Sequence, residues 1–390
     1  MTWQWVVHLA EAGVKITALI NRSDPTAPID PRTAELPPSV EAEFVPHFVS
    51  VEPPRLSRRL PVNVYTAIDY QGWQRRALAC ARELHVTQPF DLVHHLSWAS
   101  IHHGTQLVKL DAPFVLGPVG GGTMSAPGYS TCFPNSWRYE QVRNRLVQAV
   151  RFNPVSRSLV KNADLILASN AETRSVLASM GAGDVQIMLD DGVDPLELQP
   201  EPVDQSESGP LRVLWVGRIM ERKALGMALD AVRLASESVD IRMTLMGDGE
   251  NRHVVADTIE KMVDDGTLID HGWSDQQMLD AAFASHDVLL FNSVRDNGGA
   301  PLHSASTYGL PAVVINHQGP GAITSPDWAI QVKPSTTEQS TVDIAGALVA
   351  LARDRDRRVR MGWASLHAGA ANTWPARARS MAERYRAVVR

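Results

Sequence analysis

Short apolar runs alternate with longer amphipathic segments along almost the whole chain, and no other feature narrows the possible folds as much. Strand-like runs occur at Lys15–Asn21, Phe90–His95, Pro113–Leu116 and Asp164–Ala168. They return at Leu211–Gly217, Arg242–Gly247, Leu268–His271, Asp287–Asn292 and Ala312–Asn316. Between them lie segments of helical period: Tyr70–Leu84 sets Trp73, Ala77, Cys80 and Leu84 near one face, and further helices are expected near Ala224–Ala235, Asn251–Asp265 and Ser304–Tyr308. Apolar strands separated by helices are the pattern of βαβ units around parallel sheets. One stretch breaks the series: Gly192–Pro210 holds Pro195, Pro200, Pro202 and Pro210 with Asp204, Ser206, Glu207 and Ser208, and reads as a linker. With 390 residues the chain exceeds one ordinary core. The expectation is an α/β protein with two doubly wound, Rossmann-like domains facing across a cleft. Residues 1–193 would form the first, 194–210 the linker and 211–370 the second, with a helix at 371–390 packing back toward the first.

Composition closes off several classes. Cys80 and Cys132 are too few for a disulfide scaffold or a four-thiolate metal site, which fits a reducing, cytoplasmic setting. A net charge of −6 argues against a nucleic-acid partner. No run approaches the roughly 18 consecutive apolar residues of a membrane span. The opening Met1-Thr2-Trp3-Gln4-Trp5 lacks a signal peptide's basic region. Membrane contact would thus be peripheral, and Arg55, Arg58 and Arg59 alternating with Leu56, Leu60 and Val62 form a short basic amphipathic stretch suited to it, though a solvated loop accounts for it more simply. The arginine-rich end, Arg353–Arg390, reads as solvated helix anchored by Trp374 and Tyr385. At the other end Trp3, Trp5, Val6, Leu9 and Ala10 read as a first helix ending at Gly13, so the strand that normally opens a doubly wound domain is expected to be missing.

There is no G-x-G-x-x-G fingerprint, no G-x-x-x-x-G-K-[ST] loop and no G-x-S-x-G elbow, which weakens dehydrogenase, P-loop NTPase and α/β-hydrolase readings. The pairs His94-His95 and His102-His103 have no carboxylate or thiol nearby at ligand spacing, so no metal site is expected. Gly117-Pro118-Val119-Gly120-Gly121-Gly122 follows a strand directly, where backbone N–H groups can turn toward an anion or meet a sugar without a Cβ in the way. Gly217-Arg218 closes the first strand of the second series and Lys223 stands at the start of the next helix, placing two cations where a diphosphate would sit.

The segment Ser293-Val294-Arg295-Asp296-Asn297-Gly298-Gly299-Ala300-Pro301-Leu302-His303-Ser304-Ala305, running on to Gly309-Leu310-Pro311, carries a resemblance. With Gly192-Val193-Asp194, Gly217-Arg218, Lys223, Gly247-Asp248-Gly249 and Asp287-Val288-Leu289, it resembles the retaining family-4 glycosyltransferases of GT-B fold. Phe90–His95 and the Gly-Pro-Val-Gly-Gly motif are similar to a branch tied to bacterial surface or exported polysaccharides.

The resemblance implies transfer of a sugar, with retention, from a UDP- or GDP-sugar to a glycan or lipid-linked acceptor, with no cofactor and no obligatory metal ion. Arg218 and Lys223 would meet the donor diphosphate, and Asp296 with Asn297, Gly298 and Gly299 the donor sugar. Gly120, Gly121 and Gly122 would line the acceptor side, where His95, or else His94, would position the acceptor. In that family two acids stand eight residues apart, the second on the donor ribose. Here the second position is Ser304, a neutral hydroxyl in place of a carboxylate. Ser304 and the missing strand also motivate an alternative, a GT-B protein that binds a nucleotide sugar, a glycan or a partner without turnover. Nucleotide-sugar epimerisation in the same cleft is a third.

Overall fold

Strands buried on both faces pair in parallel here, as continuous apolar runs require. The structure, a computed structural model, describes residues 2–21, 40, 43–49, 62–96, 100–205 and 208–390. The basic stretch Arg55–Leu60, and Ser206 and Glu207 of the linker, lie outside those residues. Strands β1 (Ile16–Asn21) and β2 (Phe44–Val49) form a two-stranded parallel sheet. Four parallel strands follow in spatial order: β3 (Val93–His95), β4 (Phe114–Val119), β5 (Leu165–Ala168) and β6 (Val185–Ile187). The remaining six are β7 (Leu211–Val216), β8 (Ile241–Met246), β9 (Leu268–Gly272), β10 (Val288–Phe291), β11 (Ala312–Ile315) and β12 (Ala329–Val332). They build one parallel sheet in the order β12-β11-β10-β7-β8-β9. The direction of winding reverses at β7, which lies between β8 and β10, and the crevice beyond the carboxyl ends of β7 and β10 is where such a sheet receives a ligand. Two Rossmann-like units of this kind make the GT-B architecture.

The first helix, Thr2–Glu11, precedes β1 as its spacing predicts. Its Trp5 and Leu9 pack with Val115, Leu165 and Leu167 of β4 and β5, and with Trp374, Ala378 and Met381 of the last helix, Trp374–Val389. The Trp5 and Trp374 rings meet edge to face at 5.5 Å. Among the described residues no strand pairing joins β1–β2 to β3–β6. Two crossings of the chain lie side by side: Val193 N donates to Asn372 O (3.1 Å) and Trp374 N to Val193 O (3.0 Å). No helix among the described residues is long and apolar enough to cross a membrane.

Several boundaries differ from expectation for local reasons. The strand expected at Phe90–His95 pairs only over Val93–His95, because Phe90 N donates to His85 Nδ1 (3.0 Å) and closes the turn from the helix Val62–Thr87. The expected helix at Asn251–Asp265 divides into a 3-10 turn, Arg252–Val254, and a helix, Ala256–Asp264. The helix expected at Ser304–Tyr308 begins earlier, at Ala300, with Pro301 in its first turn, where the missing N–H costs nothing. β2 escaped the periodicity argument because Pro46 interrupts its run; it pairs with β1 alone, the edge position a strand proline tolerates.

Trp374 fastens the last helix to the first sheet. Trp374→Ala is expected to lower the free energy of unfolding by about 3–5 kcal/mol in urea titrations of the full chain. A cost under about 1 kcal/mol would mean that the Trp5–Trp374 contact does not hold the two ends of the chain together.

Candidate active site

The turn after β7 is held from both sides. Glu221 begins a 3-10 turn, Glu221–Lys223, and its N–H donates to Asn251 Oδ1 (3.2 Å). Its carboxylate accepts from the backbone N–H groups of Asn135 (2.9 Å) and Ser136 (3.1 Å) and from the Ser136 hydroxyl, at the start of the helix Trp137–Ala149, where the free N–H groups favour an anion. The turn ends at Ala224, which adopts the left-handed conformation (φ 51°, ψ 45°), a cost of about 1–2 kcal/mol for a residue with a Cβ. Asn292 offsets this by donating to Ala224 O (2.8 Å) while its own Oδ1 accepts from Trp215 Nε1 (3.0 Å).

That geometry aims Lys223 and Arg222 at one oxygen. Asp296 Oδ2 lies 2.5 Å from Lys223 Nζ and 3.0 Å from Arg222 Nη1. Its other oxygen accepts from Gly298 N (3.3 Å), and its backbone N–H donates to Gln318 Oε1 (2.9 Å). Burial alone would raise the Asp296 carboxyl; Lys223 and Arg222 outweigh it and hold the group below the usual 3.8. Burial also lowers the Lys223 ammonium, against the pull of Asp296, and the ammonium lies 4.5 Å from the centroid of the Phe291 ring.

The neighbouring residue reaches the other half of the molecule. Asn297 Oδ1 accepts from Asn170 Nδ2 (2.8 Å) and, more weakly, from Ser169 Oγ (3.4 Å), both beyond the end of β5. Gly120 fits directly against this amide, and a Cβ there would collide with the Asn297 side chain. Gly121 O is bonded by His102 Nε2 (3.0 Å), and Gly122 N donates to Thr173 Oγ1 (3.2 Å), so the glycine loop is braced where it meets Asn297. Gln318 adds a second bridge, its N–H donating to Glu172 Oε1 (2.9 Å) and its amide to Met124 O (2.7 Å).

Lys223, Asp296, Asn297, Gly298, Gly299 and Gly120–Gly122 therefore come together between the two units. Arg218 lies further out: its side chain is 66% exposed and its Nε donates to Glu250 Oε2 (3.0 Å). Ser304 stands in the second turn of the helix Ala300–Thr307, half-buried, its carbonyl accepting from Thr307 Oγ1 (2.8 Å). The buried ring of His95 has Tyr70 Oη at 3.4 Å, and burial, reinforced by the neighbouring His94, pushes its pKa down to about 4. His94 points the other way, into the contact with the last helix, bonding Tyr385 Oη (2.5 Å) and Gly117 O. Among the described residues no group of three or more His, Cys, Asp or Glu side chains is placed to hold a metal ion.

Sequence reasoning did not single out Arg222, Asn170, Gln318 or the pair Glu140–Arg295. Arg222 had a signal, its position next to Lys223. Asn170 carried only that of a helix cap, since its Oδ1 accepts from Thr173 N (2.9 Å) while its amide turns to Asn297. Glu140 and Arg295 stand 155 positions apart, and only the fold brings Arg295 Nη2 to 3.0 Å from Glu140 Oε1.

Comparison with known proteins bears on the family and the fold. Over 176 residues the chain is 28% identical to the Escherichia coli K12 protein named as a colanic acid biosynthesis glycosyltransferase, WcaL, an alignment covering 43% of each. The chain thus spans less than half the length of the first curated relatives it matches. Among solved structures, sucrose-phosphate synthase from Thermosynechococcus elongatus superposes with a TM-score of 0.66 at 18% identity, over 99% of this chain and 92% of that one. Anabaena HepE in complex with UDP and glucose gives 0.57 at 13%, over 98% and 95%. The sequence model that matches residues 210–354, the part of the chain that carries Lys223 and Asp296, is the one described as "Glycosyl transferases group 1", and that part lies within a GT-B fold.

Proposed function

We propose that the chain is a retaining, metal-independent glycosyltransferase that moves a sugar from a UDP- or GDP-sugar to a glycan or lipid-linked acceptor. The observation that carries this reading is Asp296, bound by Lys223 and Arg222 at the carboxyl ends of β7 and β10, with the Gly120–Gly122 loop beside it. Lys223, with Arg218 at the rim, would receive the donor diphosphate. Breaking the glycosidic bond leaves negative charge on that group, so cations already in place stabilise the transition state more than the bound donor. Arg222 joins them as a third cation. Asp296 and the backbone of Asn297–Gly299 would hold the donor sugar. Ser304 offers the ribose one neutral oxygen, a bond weaker than a carboxylate's by roughly 1–3 kcal/mol. His95, neutral near pH 7 and bonded to Tyr70, would act on the acceptor only as a packed wall of the first unit. The neighbour bound to UDP and glucose supports a UDP-sugar, and the relative named for colanic acid supports a polysaccharide acceptor.

Peripheral membrane contact finds support on a different surface from Arg55–Leu60. The helix Trp137–Ala149 and the residues after it expose Tyr139, Val142, Leu146, Phe152 and Val155 together with Arg138, Arg145, Arg151 and Arg157. Glu140 is the only acid between Ala112 and Ala163, and it is buried. An exposed apolar and basic face of this kind suits an anionic bilayer.

Calorimetric titration with UDP and GDP, and turnover with UDP- and GDP-sugars, test the first reading. UDP or GDP is expected to bind the wild type, with Lys223→Ala weakening it at least tenfold. Asp296→Asn is expected to slow transfer about 10²–10³-fold. No binding of either nucleotide at millimolar concentration would refute the donor site; binding without turnover would favour the non-catalytic alternative. For the membrane surface, the protein should sediment with phosphatidylglycerol vesicles and not with phosphatidylcholine alone. The double variant R145E/R151E should stay in the supernatant, and equal sedimentation of variant and wild type would refute this assignment.

A further inference from the structure

The helix Trp137–Ala149 has an inner face that the donor reading leaves unused. Glu140 is 2% exposed and gripped by Arg295, whose Nε and Nη2 lie 2.9 and 3.0 Å from its two oxygens; Ser125 Oγ donates to it as well (2.6 Å). One turn along, half-buried Arg143 directs Nη1 to Thr123 O (2.9 Å) and Nη2 toward Thr123 Oγ1 (3.5 Å), just past the glycine loop. Arg222 links this group to the donor side, because its Nη1 bonds both Arg295 O (3.2 Å) and Asp296 Oδ2 (3.0 Å).

Three cations, Arg222, Lys223 and Arg295, thus take up two carboxylates, Asp296 and Glu140, and a fourth, Arg143, stands beside them. Among the described residues Arg143 has no carboxylate within ion-pair distance, and it has N–H donors to spare beyond Thr123. Partial burial and the like charge of Arg295 disfavour its charged form more than nearby Glu140 supports it, and Arg222 adds to the repulsion, so an anion arriving there would relieve it. Across the whole cluster the cations exceed these two carboxylates by two charges, which a donor phosphate at Lys223 and an anion at Arg143 would divide, and the planar guanidinium of Arg143 suits the paired oxygens of a phosphoryl group.

We propose that Arg143, with Arg295 and Arg222, forms a second anion subsite on the glycine-loop side of Asp296, and that it takes a phosphoryl group carried by the acceptor. This rests on the donor reading above, which assigns Lys223 and Arg218 to the donor diphosphate, with Arg222, bonded to both Arg295 O and Asp296 Oδ2, standing between the two groups and serving both. The acceptor class it selects is a phosphorylated or diphosphate-linked sugar rather than a neutral glycan. Arg143 would bind and orient that acceptor and take no part in bond breaking.

The test is calorimetric titration of inorganic phosphate into the full chain already saturated with UDP, with acetate as the singly charged comparison. Phosphate is expected to bind in the millimolar range and acetate at least tenfold more weakly. Arg143→Gln should weaken phosphate at least tenfold while leaving UDP affinity within twofold and the melting temperature unchanged, and Arg143→Lys should recover most of the binding. The subsite is overturned if Arg143→Gln leaves phosphate affinity as it was, if acetate binds as well as phosphate, or if Arg143→Gln weakens UDP tenfold, which would assign the arginine to the donor. Should UDP not bind the wild type, the donor reading falls by itself. The phosphate titration on the free protein then decides the subsite by the same dependence on Arg143.

Discussion

A single carboxylate oxygen, Oδ2 of Asp296, organises the centre of this molecule. Lys223 and Arg222 are both largely withdrawn from water, and without Asp296 each would be a buried charge lacking a counter-ion, a situation worth several kcal/mol. The left-handed Ala224, the clamp on Glu221 and the amide of Asn292 all serve to present those two cations to it. Asn297 and Gln318 extend the arrangement, carrying the position of Asp296 across to Asn170, Glu172 and the glycine loop. The two units are joined here mainly by hydrogen bonds and ion pairs, which a ligand can replace one for one at little cost. An apolar seam of equal area would have to be exposed to water before anything could enter.

The fold was legible because the second half of the sequence states its strands almost without interruption. β10 and β11 are apolar along their length, β7 and β8 are apolar but for Arg212, Arg242 and Thr244, and each ends at a polar residue or a glycine within a residue or two. The first half was harder to read. β2 carries Pro46, β3 pairs over three residues only, and β6 is a short strand with a half-exposed centre, so none of them has a full periodic signal.

The site was legible in part for a similar reason. Gly217 and Gly120 directly follow strand ends, and Asp296 and Lys223 stand in the loops or turns that leave β10 and β7, where sequence order and spatial order coincide. Glu140, Asn170 and Gln318 act through partners more than a hundred positions away, and one chain read alone carries no record of such pairings. His95 shows the opposite case: its place at a strand end suggested a role at the site, whereas its ring is buried against Tyr70.

The paired crossings at Val193 and Thr373 set the mechanics of the whole molecule. Because the outgoing and returning segments hydrogen-bond to each other, both connections between the units run through one narrow line. Torsion about that line stretches neither segment, so the backbone itself behaves as an axle. What resists turning is a set of polar contacts away from it, Asn297 to Asn170, Gln318 to Glu172, Arg295 to Glu140 and Glu221 to Ser136, together with one apolar plug, Tyr129 and Phe133 of the first unit buried in the core of the second. Rising ionic strength should loosen the polar set and leave the plug in place, so the halves would then turn about two fixed points, the crossing and the plug.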